Sequence, residues 1–136
     1  MIAGIGIDVV DTVRFGDLLS EPGTVFAQRV FTAQERLTAA ARPSADPALH
    51  LSARYAAKQA CLKALSQALA PAPLPAGLGS PEDLYDIEVL NDAAGRPYLA
   101  LGGRPRRWAE QAGIVSLHVS LSHDGAVATA LVIAER

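Results

Sequence analysis

The chain has 136 residues, half of them apolar and 19% charged, which suits one globular domain over residues 1–136 with a modest core. A formal net charge of -2 excludes a generally nucleic-acid-binding surface, because no basic excess is present to neutralise phosphates. A single cysteine, Cys61, excludes an internal disulfide, and no run approaches the roughly 18 apolar residues of a membrane span. With no basic leader before the first apolar run, the expectation is a soluble, cytoplasmic protein in a reducing compartment, without a membrane partner.

Residues 2–10 form a short β-rich run whose glycines, Gly4 and Gly6, let a neighbouring backbone come close. Asp11 is placed to cap a helix carrying Val13, Leu18 and Leu19 inward and ending near Pro22-Gly23. Thr32-Ala-Gln-Glu35 matches a capping box, with hydroxyl and carboxylate each serving the other residue's amide, and its helix is expected to stop before Pro43. Asp46-Pro47 reads as an N-cap followed by proline in the first turn. From there to about Leu69 the Ala, Leu, Lys and Gln content predicts a long helix. Residues 71–81, with four prolines and two glycines, form a surface connection.

Residues 84–90 and 98–101 read as paired strands across a glycine-containing turn at 91–97. A short helix over 104–112 ends at Gly113. Residues 115–123 and 126–134 are strands joined at Asp124-Gly125. The order β-α-α-α-β-β-α-β-β argues for an α+β fold, the long helix lying on a largely antiparallel sheet.

Polar groups that such a fold does not require concentrate in three places. Asp8, ending Gly4-Ile-Gly-Ile-Asp8, offers oxygen ligands to a hard cation, or serves as a turn or cap residue. On the long helix, Arg54 with Lys58 and Gln59 with Lys63 are four apart and share faces, Tyr55 lying on the Gln59 stripe. They form either a polyphosphate clamp or a solvated face with snorkelling lysines. In His118-Val-Ser-Leu-Ser-His123, alternation sends His118, Ser120 and Ser122 to one face. His123 then closes the strand where a phosphate or nucleotide could be met, or stands as an ordinary strand-end histidine. No Gly-x-Ser-x-Gly elbow supports a hydrolase triad, and no Cys/His spacing suits zinc.

Taken in series, Gly4-Ile-Gly-Ile-Asp-Val-Val with Arg14, Arg29-Val-Phe-Thr-Ala-Gln-Glu35, Arg54-Tyr-Ala-Ala-Lys-Gln-Ala-Cys-Leu-Lys-Ala-Leu65, Asp86-Ile-Glu-Val with Gly95-Arg-Pro97, and His118-Val-Ser-Leu-Ser-His123 resemble the holo-acyl-carrier-protein synthase family nearly end to end. That resemblance implies a 4'-phosphopantetheinyl transferase-like fold, a homotrimer with active sites at subunit interfaces, and coenzyme A as donor. The acceptor it implies is a serine of an acyl carrier protein or of a carrier domain in a fatty-acid or polyketide synthase. It assigns Asp8 to Mg²⁺ (or Mn²⁺) and Lys63 to the phosphates and the departing adenosine 3',5'-bisphosphate. Arg54, Lys58 and His123 fall to the nucleotide, and Arg14 to the carrier protein, while Glu35 keeps its capping role.

One position departs from the family pattern. Gln59 stands where the resemblance places a metal-binding glutamate, so it adds a carbonyl oxygen but neither charge nor basicity. A unit charge pair at about 4 Å and an effective dielectric of about 20 interacts by roughly 4 kcal/mol, an upper guide to what is missing. The expectation is an active enzyme whose Mg²⁺ arrives largely with coenzyme A. The alternatives are a module that binds coenzyme A or carrier protein with little transfer, and a structural trimer unrelated to coenzyme A.

Overall fold

A computed structural model describes residues 1–42 and 46–136; Pro43, the expected helix stop, lies outside them. The elements are β1 (Ile2–Asp11), α1 (Thr12–Ser20), α2 (Phe26–Val30), α3 (Ala33–Ala40), α4 (Pro47–Ala68), α5 (Pro81–Tyr85), β2 (Ile87–Asn91), β3 (Pro97–Leu101), α6 (Gly103–Gln111), β4 (Ser116–Asp124) and β5 (Val127–Glu135). The class is α+β. The strands form two antiparallel sheets, a three-stranded one in the order β1-β5-β4 and the hairpin β2-β3.

Local chemistry explains where the helices begin. The Asp11 carboxylate accepts from the Val13 and Arg14 amides, both Thr32–Glu35 bonds of the capping box form, and Asp46 accepts from Ala48 N ahead of Pro47. Two short helices were not expected. Residues 84 and 85, assigned to a strand from sequence, close α5 instead, because Ser80 and Asp83 make a second capping box ahead of Pro81. α2 turns where no cap side chain marks it. On α1 the inward residue is Phe15, whereas Val13 and Leu18 are exposed and only Leu19 of the expected three packs on the core.

The 22-residue α4 lies across the three-stranded sheet. Its inner stripe, Ala56, Ala60 and Ala64, is small, and β1 answers with glycines. A Cβ on Gly6 would sit 1.7 Å from Ala60 O, and one on Gly4 2.0 Å from Ala64 O, so no larger side chain fits without moving the strand. Inward positions on β1 alternate, so after Gly4 and Gly6 the next inward residue is Asp8. Glycine packing thereby delivers a carboxylate to the surface of α4. On the opposite face of the sheet, Ile5, Ile7 and Val9 stand 48%, 58% and 63% exposed beside Ile133, Leu131 and Thr129 of β5.

Candidate functional site

Most of the residues singled out from sequence lie at two clefts. The first, about 490 Å³, lies between β1, α1 and α4 and is lined by Asp8, Asp11, Arg14, Tyr55 and Gln59, with Phe15 and Leu18 as its apolar wall. Lys63 borders it: its Nζ donates to Ile7 O at 2.8 Å and to Asp8 Oδ1 at 3.2 Å. The lysine stem reaches there because helix side chains lean toward the N-terminus. Gln59 Nε2 donates to Tyr55 Oη at 3.0 Å, and the Tyr55 ring is held against Phe15 with centroids 5.2 Å apart. This arrangement turns the Gln59 carbonyl oxygen into the available donor.

The second cleft, about 340 Å³, lies at the β4 side between α4, the β2-β3 hairpin and the end of β4; its lining includes Arg42, His50, Arg54, Asn91, Pro97 and His123. Arg54 is buried and bonds Asn91 Oδ1 through its guanidinium, while Asn91 Nδ2 donates to Gly95 O at 2.9 Å. The hairpin thus presents the arginine. Arg54 Nε and His50 Nε2 are buried without a hydrogen-bond partner among the described residues. Burial, and then the charge of Arg42, bring the Arg54 guanidinium down to about 10, with Glu35 opposing. Burial followed by the charges of Arg54 and Arg42 lowers His50 to about 4, so the ring is neutral near pH 7. His50 was missed from sequence, although it sits four residues before Arg54 on the same helical stripe; Arg42 carried no such signal.

Lys58 is a correction. Its expected place on the ligand-facing helix surface is not where it lies: the side chain is 0% exposed, with Nζ donating to Glu35 Oε1 (2.9 Å), Leu84 O (2.8 Å) and Ile87 O (2.7 Å). Glu35 in turn accepts from Thr32 N and Val89 N. Burial lowers the Lys58 pKa, and the Glu35 charge pulls it back. With every ammonium proton used inside the fold, Lys58 holds α3 and β2 to α4 and is unavailable to a ligand.

His118 lines neither cleft. It lies on the outer face, paired through Nε2 with Glu135 Oε1, and that contact lowers the Glu135 pKa. Cys61 is fully buried and pushed up to about 12 by burial, which leaves its thiol protonated and unreactive.

The Asp8 carboxylate and the Gln59 amide oxygen thus share one groove, and a cleft lined by Arg42 and Arg54 lies at the other edge of the same sheet. The description "4'-phosphopantetheinyl transferase superfamily" matches residues 4–131, and the chain belongs to that family. A holo-[acyl-carrier-protein] synthase of Geobacter sulfurreducens is 41% identical, over 100% of this chain and 99% of its own length. Among solved structures, an ACPS–CoA complex of Chronobacterium ammoniagenes superposes with TM-score 0.84 at 39% identity, covering 96% of this chain and 95% of its own. The holo-[acyl-carrier-protein] synthase of Neisseria meningitidis gives TM-score 0.79 at 30% identity, covering 100% of both chains. No helix of the described residues is long and apolar enough to cross a membrane.

Proposed function

We propose that this protein transfers 4'-phosphopantetheine from coenzyme A to a serine of an acyl carrier protein or carrier domain, with Mg²⁺ and release of adenosine 3',5'-bisphosphate. The observation that carries the reading is the convergence of Asp8, Gln59 and Lys63 at one groove, in a chain of this family and alongside relatives named for the reaction.

The donor set fits a magnesium ion. Asp8 supplies a carboxylate and Gln59 a neutral carbonyl oxygen, both hard donors, with the open groove leaving room for water and phosphate oxygens. Bound there, Mg²⁺ supplies charge neutralisation on the diphosphate. Lys63 donates to the phosphate oxygens and stabilises the negative charge on the leaving bisphosphate. The carrier serine Oγ attacks the β-phosphate, the bond to the departing phosphate oxygen breaks, and the serine proton passes to water, because the Gln59 amide is no base. Arg54 and His123 hold the nucleotide end in the second cleft, His123 at the ribose 3'-phosphate, with Arg42 and His50 beside them. Arg14, on the exposed side of α1, meets the acidic carrier protein.

The same reading includes a homotrimer. The two clefts flank opposite edges of the sheet, β1 and β4, so one coenzyme A is best enclosed where the β1 edge of one copy meets the β4 edge of the next. Such head-to-tail contacts close into rings, and the exposed Ile5, Ile7 and Val9 face supplies apolar surface to bury. Light scattering is expected to give three times 14.2 kDa.

The deciding experiment is intact-mass analysis of an apo carrier protein incubated with this protein, coenzyme A and Mg²⁺. A gain of one phosphopantetheine per carrier, absent without metal and absent with Asp8→Ala, is the expected result. Tight coenzyme A binding with no gain on any carrier, restored by Gln59→Glu, identifies a binding module instead. Mixed oligomers of Asp8→Ala and His123→Ala, each inactive alone, are expected to recover part of the activity if the two clefts meet across subunits.

A further inference from the structure

The Asp8 groove has a charge arrangement of its own. Because Gly4 and Gly6 seat β1 directly on the α4 backbone, the Asp8 carboxylate reaches the Lys63 ammonium, which is anchored a second time on Ile7 O. Gln59 contributes no charge, and its amino group is committed to Tyr55. Of the other charged residues lining the groove, Asp11 Oδ1 is engaged by the amides of Val13 and Arg14, and Arg14 carries an opposing positive charge. The formal charges of Asp8 and Lys63 therefore cancel, and no described residue of the groove restores an excess of negative charge. Among the described residues no group of three or more His, Cys, Asp or Glu side chains is assembled that could hold a metal ion unaided.

We propose that the Asp8–Lys63 ion pair locks this cation site shut until a diphosphate arrives. Lys63 is the resting occupant of the carboxylate. The diphosphate of coenzyme A draws its ammonium away, freeing Asp8 Oδ1 and adding the negative charge that Gln59 lacks. Divalent cation and coenzyme A then bind as one coupled event, each raising the affinity for the other by the same factor, as linkage requires. The exposed position of Lys63, 56% accessible against 19% for Asp8, leaves the ammonium free to swing without disturbing the fold. The inference rests on the coenzyme A reading of the groove for its second half; the lock itself rests on the ion pair alone.

The test is a Mn²⁺ titration followed by the electron paramagnetic resonance signal of the free ion. It is run on the wild type, Lys63→Met, Gln59→Glu and Asp8→Asn, with and without coenzyme A, subtracting Mn²⁺ held by coenzyme A alone. Thermal melts check that each variant is folded. Without coenzyme A, Lys63→Met and Gln59→Glu are each expected to bind Mn²⁺ at least about tenfold more tightly than the wild type, within the usual range of such couplings. With coenzyme A, the wild type gains one Mn²⁺ per chain and Asp8→Asn does not. Equal Mn²⁺ affinity of wild type and Lys63→Met in the absence of coenzyme A overturns the lock. Equal wild-type affinity with and without bound coenzyme A overturns the coupling. Calorimetry with coenzyme A separates the two levels: if Lys63→Met tightens Mn²⁺ binding but coenzyme A never binds, the lock stands and the transferase reading falls.

Discussion

Two lysines five residues apart on one helix live in opposite physical worlds. Lys58 and Lys63 lie about 140° apart around α4. One is sealed in the core with three acceptors; the other is exposed at the mouth of a groove, on a half-buried carboxylate. A buried ammonium must be matched bond for bond, so it becomes structural; an exposed one is matched by water and remains free to move to a ligand. The same residue type thus serves as a bolt on one face of the helix and as an exposed, mobile cation on another.

The largest expected effect breaks the buried end. Lys58→Met leaves the buried Glu35 carboxylate without its ion-pair partner, and is expected to lower the unfolding free energy by about 3–5 kcal/mol in urea titrations. Adding Glu35→Gln to that variant recovers part of the loss, because a neutral amide replaces the unpaired charge while still accepting from Val89 N. No recovery would mean that the pair matters for its shape rather than its charge.

Next comes the seam where β1 meets α4. Gly6→Ala forces β1 off the Ala60 carbonyl and is expected to cost up to about 3 kcal/mol. It also pulls Asp8 away from Lys63, so stability and Mn²⁺ binding with coenzyme A should fall together.

A third effect is read in the pH dependence of stability. The His50 pKa is lowered to about 4 in the folded chain, against 6.5 for the free side chain. The unfolded chain therefore takes up a proton that the folded chain refuses, so this contribution is full above about pH 6.5 and lost progressively toward pH 4. Each pH unit inside that window costs up to about 1.4 kcal/mol. Chemical denaturation at several pH values checks it, and His50→Phe is expected to flatten the slope.

The smallest stability effect sharpens the contrast. Lys63→Met removes an exposed ammonium with its Asp8 ion pair and its bond to Ile7 O, both open to replacement by water, and is expected to change stability by no more than about 1 kcal/mol, while transfer to the carrier falls sharply. A Lys63→Met protein as destabilised as Lys58→Met would erase the distinction between the two lysines.

Much of this is legible in the sequence. Asp11, the Thr32–Glu35 box and Asp46-Pro47 each set a helix start through bonds spanning two or three residues, and such short-range chemistry is written in the order of side chains. Strand alternation placed His118 and Ser120 away from Val119 and Leu121, as observed. The Ser80–Asp83 box was equally local and equally readable, but the prolines around it drew the segment into a loop. The serial motifs, in turn, were enough to identify the family.

What the order of residues determined by itself was therefore the starts of α1, α3 and α4, the alternation along the strands, the inward glycines that end in Asp8, and the family. Only the tertiary structure decided that Lys58 faces inward. Its partner Glu35 lies 23 residues away, and the two carbonyls that complete its shell follow 26 and 29 residues later. Only the tertiary structure placed Lys63 on Asp8, 55 residues apart, and split the expected site between two edges of one sheet. Helical spacing tells which side chains share a face, but not which face meets the core; that is settled by the partners waiting there, and a buried charge goes where its bonds are complete.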